Sequence, residues 1–186
     1  VFSKISDTCT PQGVLCVLKQ FHYNIEEMLR DKAPLFLLLE NIQDPGNLGT
    51  MLRTGEGAGV SGIIMSRDTV DLYNPKVIRS TMGSIYRVPF YYAEDFAAAV
   101  HQVQQAGVSV YAAHLRGKNS YACQDYTKGT AFLIGNEGNG LREETAELAD
   151  CYIRIPMEGK VESLNAAVAS SILMYEAHRQ RATIEK

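Results

Sequence analysis

The chain alternates short, unbroken apolar runs with longer stretches of helical spacing. The run Leu-Phe-Leu-Leu-Leu-Glu at 35–40 lacks the every-other-residue polarity of a half-exposed strand, so it reads as a parallel strand covered on both faces. Further short runs predict strands at 62–66, 86–90, 108–113, 131–134 and 152–156. Between them, apolar residues at three- and four-residue intervals predict helices at 47–58, 76–82, 95–106, 142–148 and 163–181. Asn47 reads as the N-cap of the first helix, Ser163 as that of the last, and Gly107 as the stop after the third. On the first helix Leu48, Met51, Leu52 and Gly55 share a face, and Arg53 lies off it. Strands alternating with helices define an α/β class with a mostly parallel sheet flanked by helices.

The first 33 residues are less regular. Residues 7–13 are rich in turn formers, 14–18 read as a short strand, and 21–30 as a charged helix. Asp31-Lys32-Ala33-Pro34 punctuates a boundary, so 34–186 is expected to be the main domain. The terminal helix is apolar nearly all round, with Leu164, Val168, Ser171 and Tyr175 on one face and Ala166, Ala169, Leu173 and Ala177 on the other. Such a helix is covered on two sides, either as a central core element or by a second subunit.

Composition narrows the class. At 186 residues and 46% hydrophobic content the chain can bury one substantial core. A net charge of −3 gives no basic field that would announce nucleic-acid binding by this chain alone. Cys9, Cys16, Cys123 and Cys151 form no C-x-x-C pair and no metal spacing with the histidines, which reads as free thiols in a reducing, cytoplasmic setting. No run approaches membrane-span length and no signal peptide is visible. The start at Val1 rather than Met raises the expectation that something has been removed upstream.

Three stretches carry unusual chemistry. Residues 41–54, Asn-Ile-Gln-Asp-Pro-Gly-Asn-Leu-Gly-Thr-Met-Leu-Arg-Thr, place Asn47 and Arg53 just after a strand's C-terminal end, where open α/β sheets bind ligands. Residues 132–141 run from a strand into a loop with Gly135, Gly138 and Gly140 around a single carboxylate, Glu137. That loop is not G-x-G-x-x-G, and no G-x-x-x-x-G-K-[ST] occurs, so nicotinamide, flavin and P-loop sites are disfavoured. Residues 155–165 run from Ile155-Pro156-Met157 to Ser163-Leu164-Asn165. Taken singly, each admits a bland reading as an ordinary turn, cap or solvated arginine.

Together they resemble the SpoU (TrmH-like) family of RNA ribose 2′-O-methyltransferases, of the SPOUT class, over roughly residues 34–182. The marks are N-x-x-D-P-x-N-x-G-x-x-x-R-T at 41–54, I-G-N-E-G at 134–138, and I-P-M with S-L-N at 155–165. Residues 74–83 also look like a family segment, although the family often has small residues where Asn74 and Thr81 stand. The resemblance implies a C-terminal trefoil knot, against the general rule that connections do not thread loops. It implies S-adenosylmethionine bent into that knot, held mainly by backbone around Leu115, Gly135, Ile155, Met157 and Leu164. The product would be S-adenosylhomocysteine, with no metal.

The same resemblance gives Arg53 contact with the ribose hydroxyl and neighbouring phosphate. A proposed general-base role sits poorly with a guanidinium, which stays protonated; orientation and stabilisation of developing oxyanion charge suit it better. Asn47 and Glu137 would fix Arg53 and the loop, while Ser163 and Asn165 would shape the nucleotide and methionine ends of the site. The family also implies a homodimer, and RNA as substrate, rRNA in preference to tRNA. Residues 1–33 would be the linker or tail of an N-terminal RNA-recognition domain. The competing readings are a catalytically silent RNA-binding or assembly module of the same fold, and an unrelated α/β nucleotide-binding enzyme.

Overall fold

A computed structural model describes residues 2–5, 10 and 13–184. In chain order the elements are α1 (Phe2–Ile5), α2 (Ile25–Met28), β1 (Leu35–Leu39), α3 (Pro45–Ala58), β2 (Gly62–Ser66), α4 (Pro75–Ser80), β3 (Phe90–Ala93) and α5 (Phe96–Gln105). There follow β4 (Ser109–Ala113), β5 (Asn119–Ser120), β6 (Thr130–Ile134), α6 (Glu143–Ala146), β7 (Cys151–Arg154) and α7 (Ala166–Ile184). The strands form one 7-stranded sheet in the order β3-β2-β1-β6-β4-β7-β5. Every pairing in it is parallel.

The centre of the sheet explains the unbroken apolar runs. All five residues of β1 are fully buried: Leu35, Leu37 and Leu39 join the core under α3, α4 and α7, while Phe36 and Leu38 join the opposite core under α2, α5 and α6. A strand buried on both faces has no position for a polar residue on either. Each such side chain contributes about 1.5–3 kcal/mol by leaving water. β6 beside it is buried throughout in the same way.

Local rules set the helix ends. Asp44, with extended backbone, caps α3 by accepting the Asn47 N–H at 2.7 Å, and Pro45 supplies the first helical position. The cap is therefore Asp44 and not Asn47. α3 stops at Gly59, whose φ of +77° is the left-handed conformation that glycine adopts without penalty. Asn165, not Ser163, caps α7: its Oδ1 accepts the N–H groups of Ala167 at 2.9 Å and Val168 at 3.2 Å.

Other expectations shift. Residues 14–18 are not a strand; Val14, Leu15, Val17 and Leu18 are exposed and unpaired. The helix expected over 21–30 shrinks to Ile25–Met28, and that over 142–148 to Glu143–Ala146. The strand expected at 86–90 begins only at Phe90, because residues Ser84–Tyr86 form a 3₁₀ turn. The turn-rich 7–13 stretch and Cys9 fall outside the described residues except Thr10 and Gly13. Cys16, Cys123 and Cys151 are free thiols.

Residues 21–28 pack onto the body of the domain. Ile25 and Met28 are buried in the second core, and Phe21 and Tyr23 enter an aromatic group with Tyr73, Tyr86 and Phe90. Among the described residues no helix is long and apolar enough to cross a membrane.

Candidate active site

The C-terminal ends of β1, β6, β4 and β7 deliver the three unusual stretches to one side of the sheet. Leaving β1, the chain turns at Asn41, whose φ of +53° is a left-handed conformation that asparagine tolerates. Its N–H donates to Ser66 Oγ at 2.8 Å and its carbonyl accepts from Asn136 Nδ2 at 2.8 Å. The turn aims the N–H groups of Gln43 and Asp44 at the glycine loop.

Glu137 receives them. Its Oε2 accepts from Gln43 N–H at 3.1 Å, and its Oε1 accepts from Asp44 N–H and from Asn47 Nδ2, both at 3.0 Å. Burial works to raise this carboxyl, but the bonds from Asn47 and from the Gln43 and Asp44 backbone outweigh it and hold Glu137 below the usual carboxylate range. The other side of the Asn47 amide accepts from Asn165 Nδ2 at 3.0 Å. A chain of side chains thus runs Glu137–Asn47–Asn165, linking residues from all three stretches.

The loop itself is closed by paired backbone bonds between Asn136 and Gly140, at 3.0 and 2.9 Å. Asn136 Oδ1 accepts the N–H groups of Gly138 and Asn139 inside it. Gly135 stands so close to the returning end of the loop that a Cβ there would lie 2.2 Å from Gly140 C and Leu141 N. Only glycine fits.

Beside this loop lies a cleft of about 220 Å³, mainly apolar, walled by the exits of β4, β6 and β7 and by the start of α7. Leu115, Gly135, Ile155, Met157 and Leu164 all line it, as do Glu137 and Ser163. Asn47, Arg53 and Asn165 stand outside the cleft. Arg53 is exposed on α3, about 9 Å along the helix from Asn47. Neither Asn47 nor Glu137 bonds its guanidinium; they hold each other instead.

Sequence reasoning overlooked several lining or supporting groups. His114 lines the cleft, accepts the Arg116 N–H on Nδ1 at 3.1 Å and packs against Tyr152. Burial first, and then Arg116, push its imidazole down from its ordinary value. Glu40, the acid ending the apolar run of β1, is 2% exposed and bonds the far end of the glycine loop. A carboxylate closing a fully buried strand was the available signal. Among the described residues no group of three or more His, Cys, Asp or Glu is placed to hold a metal ion.

An all-parallel sheet with a glycine-loop cleft at its C-terminal edge defines a ligand-binding α/β domain without a phosphate-loop fingerprint. The profile of the SpoU rRNA Methylase family matches residues 34–175, and the chain belongs to that family. It is 36% identical over 174 residues to the 23S rRNA (guanosine(2553)-2′-O)-methyltransferase RlmP of Bacillus subtilis, covering 94% of this chain and 68% of that protein. Its structure is similar to the SpoU methyltransferase AviRb from Streptomyces viridochromogenes, with TM-score 0.81 and 30% identity over 86% of this chain and 64% of that one. It is also similar to an AdoMet-bound rRNA methyltransferase from Sinorhizobium meliloti, with TM-score 0.78 and 38% identity over 87% of this chain and 62% of that one. The chain thus spans about two thirds of the length of these relatives.

Proposed function

We propose that this chain is the catalytic unit of an S-adenosylmethionine-dependent RNA ribose 2′-O-methyltransferase, acting on ribosomal RNA in the cytoplasm. The observation that carries the reading is the convergence of Leu115, Gly135, Ile155, Met157 and Leu164 on one cleft, with Glu137 and Ser163 on its wall. The cleft fits such a cofactor: apolar walls suit an adenine ring, and the loop residues Gly135 to Glu137 bring polar backbone to its lining. When bound, the cofactor supplies an electrophilic methyl group on a sulfonium that leaves as a neutral thioether.

The protein's own work is then positioning. A ribose 2′-hydroxyl would have to be oriented toward the transferable methyl group and would give up its proton to solvent water on methylation. Glu137, Asn47 and Asn165 lock the loop, the start of α3 and the cap of α7 into one frame. Arg53, outside that frame and exposed, is assigned to the RNA, where its guanidinium orients the ribose–phosphate and stabilises charge developing on the attacking oxygen. Ser163 is assigned to the nucleotide end of the cleft.

We read the knotted crossing into the glycines Gly135, Gly138 and Gly140 and the loop of residues 157–162. Supporting it are the backbone-to-backbone closeness at Gly135 and the return of α7 from β7, at one side of the sheet, to pack on α3 and β6. A homodimer is supported by the outer face of α7, where Val168 and Tyr175 are each 49% exposed. Ribosomal RNA is preferred over tRNA because RlmP, at 36% identity, is named for 23S rRNA.

Calorimetric titration with S-adenosylmethionine and S-adenosylhomocysteine, beside NAD, tests the cofactor reading. Saturable micromolar binding of the first two alone is expected. A folded protein that binds neither would sink it. Methyl transfer to 23S rRNA fragments against tRNA then separates the substrates, and cofactor binding without turnover on either would favour a silent assembly module.

A further inference from the structure

We infer that Glu40 is a positioning residue for the cofactor cleft, acting through the glycine loop that it holds at both ends. The inference rests on the cofactor reading above and deepens it. Glu40 follows directly on β1 and is buried. Its own N–H donates to the carbonyl of Ile134 at 2.9 Å, the last residue before Gly135. Its carboxyl reaches the other end: Oε2 accepts the Arg142 N–H at 2.8 Å, and Oε1 accepts the Thr145 hydroxyl.

One residue therefore contacts both ends of the loop, adding an outer tie to the Asn136–Gly140 backbone pair within it. Between those ends lie Gly135, Gly138 and Gly140, which give the backbone more freedom to lose than any other residue would. The latch is braced from outside, since Arg142 Nη1 lies 3.6 Å from Glu40 Oε1 and its other arm bonds Asp68. Asp68 accepts in turn from Ser66 Oγ at 2.5 Å. What the latch presents to the cleft is the Gly135 backbone and Glu137, neither of which Glu40 touches. A carboxylate suits this position, being an acceptor with two oxygens on which two donors converge.

The test compares Glu40→Leu, Glu40→Gln and Thr145→Val with the wild type. The readouts are affinity for S-adenosylhomocysteine by calorimetry, amide hydrogen exchange along the chain, and thermal unfolding. Glu40→Leu is expected to weaken binding roughly tenfold or more, the loss typical of hydrogen bonds to a charged acceptor, and to speed exchange within 135–145 while β1 and α5 stay protected. Glu40→Gln keeps one oxygen for the Arg142 N–H and is expected to recover most of the affinity. If Glu40→Leu does not fold, Thr145→Val carries the test, with weakened binding and faster loop exchange expected in it while Glu40→Gln stays close to the wild type. A lower melting temperature with wild-type affinity and unchanged loop exchange would make Glu40 a stabilising residue only and overturn the inference. Failure of the wild type to bind S-adenosylhomocysteine would sink the cofactor reading instead, and loop exchange in the variants would still report on the latch.

Discussion

Glu137 accepts a hydrogen bond from the side-chain amide of Asn47 at 3.0 Å across 90 positions of sequence, tying the glycine loop to the first turn of α3. The same carboxyl takes the Gln43 and Asp44 N–H groups, so the group that fits is an acceptor at every position. In Glu137→Gln an NH₂ would face one of these donors. The expected cost is about 1 kcal/mol, kept small because the residue is partly solvated, or a fall of about 2–4 °C in melting temperature. Because the folded-state pKa is depressed, the stabilisation is complete above the unfolded value near 4.3 and is lost as pH falls through the folded value. Urea unfolding across pH 3–6 should therefore show a steeper acid limb for the wild type than for Glu137→Gln; parallel limbs would contradict this account.

On the proposed function, Arg53 should separate chemistry from cofactor binding. It lies outside the cleft and is exposed, so Arg53→Ala should leave S-adenosylmethionine affinity and stability near wild type, within about 0.5 kcal/mol. Methyl transfer should fall by roughly 10² or more, as expected for a lost positioning and charge-stabilising group. Single-turnover assays with the RNA substrate check the rate, and a variant that turns over normally would remove Arg53 from the active site.

Gly135 and Gly159 make a matched pair. A Cβ at Gly135 would meet backbone atoms of Gly140 and Leu141 at 2.2 Å, whereas at Gly159 nothing lies within 4 Å. Backbone cannot swing aside as a side chain can. Gly135→Ala is expected to cost several kcal/mol or prevent folding, and Gly159→Ala to be close to neutral. Thermal unfolding of the two single variants is sufficient to decide.

Glu56 on α3 offers a second pH signature, remote from the site. The Arg87 guanidinium, and then the Ser84 hydroxyl, pull its carboxyl down to about 2. Its contribution to stability should be complete above the ordinary carboxylate value and be lost progressively as pH falls from there to about 2. Arg87→Ala should move the Glu56 carboxyl titration, followed by NMR, back toward the ordinary value.

The outer face of α7 predicts assembly. Val168 and Tyr175 are half exposed, and Tyr175 reaches over Gly57 of α3, where a Cβ would come within 3.0 Å of its hydroxyl. Tyr175→Glu together with Val168→Glu should convert a dimer to a monomer in sedimentation at micromolar concentration without unfolding it. A wild type that sediments as a monomer would refute the dimer directly.

What the sequence determined by itself was whatever depends on neighbours along the chain or on burial from both sides. The strands β1, β2 and β6 were legible because a central parallel strand, buried at every position, leaves little room for a polar side chain. The three motifs were legible because their glycines, asparagines and acids are poor choices for plain elements. What only tertiary structure decided was anything requiring a distant partner. Val14–Leu18 has strand-like residues but pairs with no strand, and β-propensity measures fit to a sheet surface that must already exist. β5, with two residues, is too short for any periodicity and exists through its pairing with β7. Asn47 looked like a cap, but Asp44 takes that role, which frees the Asn47 amide to join Glu137 to Asn165. The buried carboxyl of Glu40 shows the same division, since its residue type is local information while its donors lie more than 100 positions away.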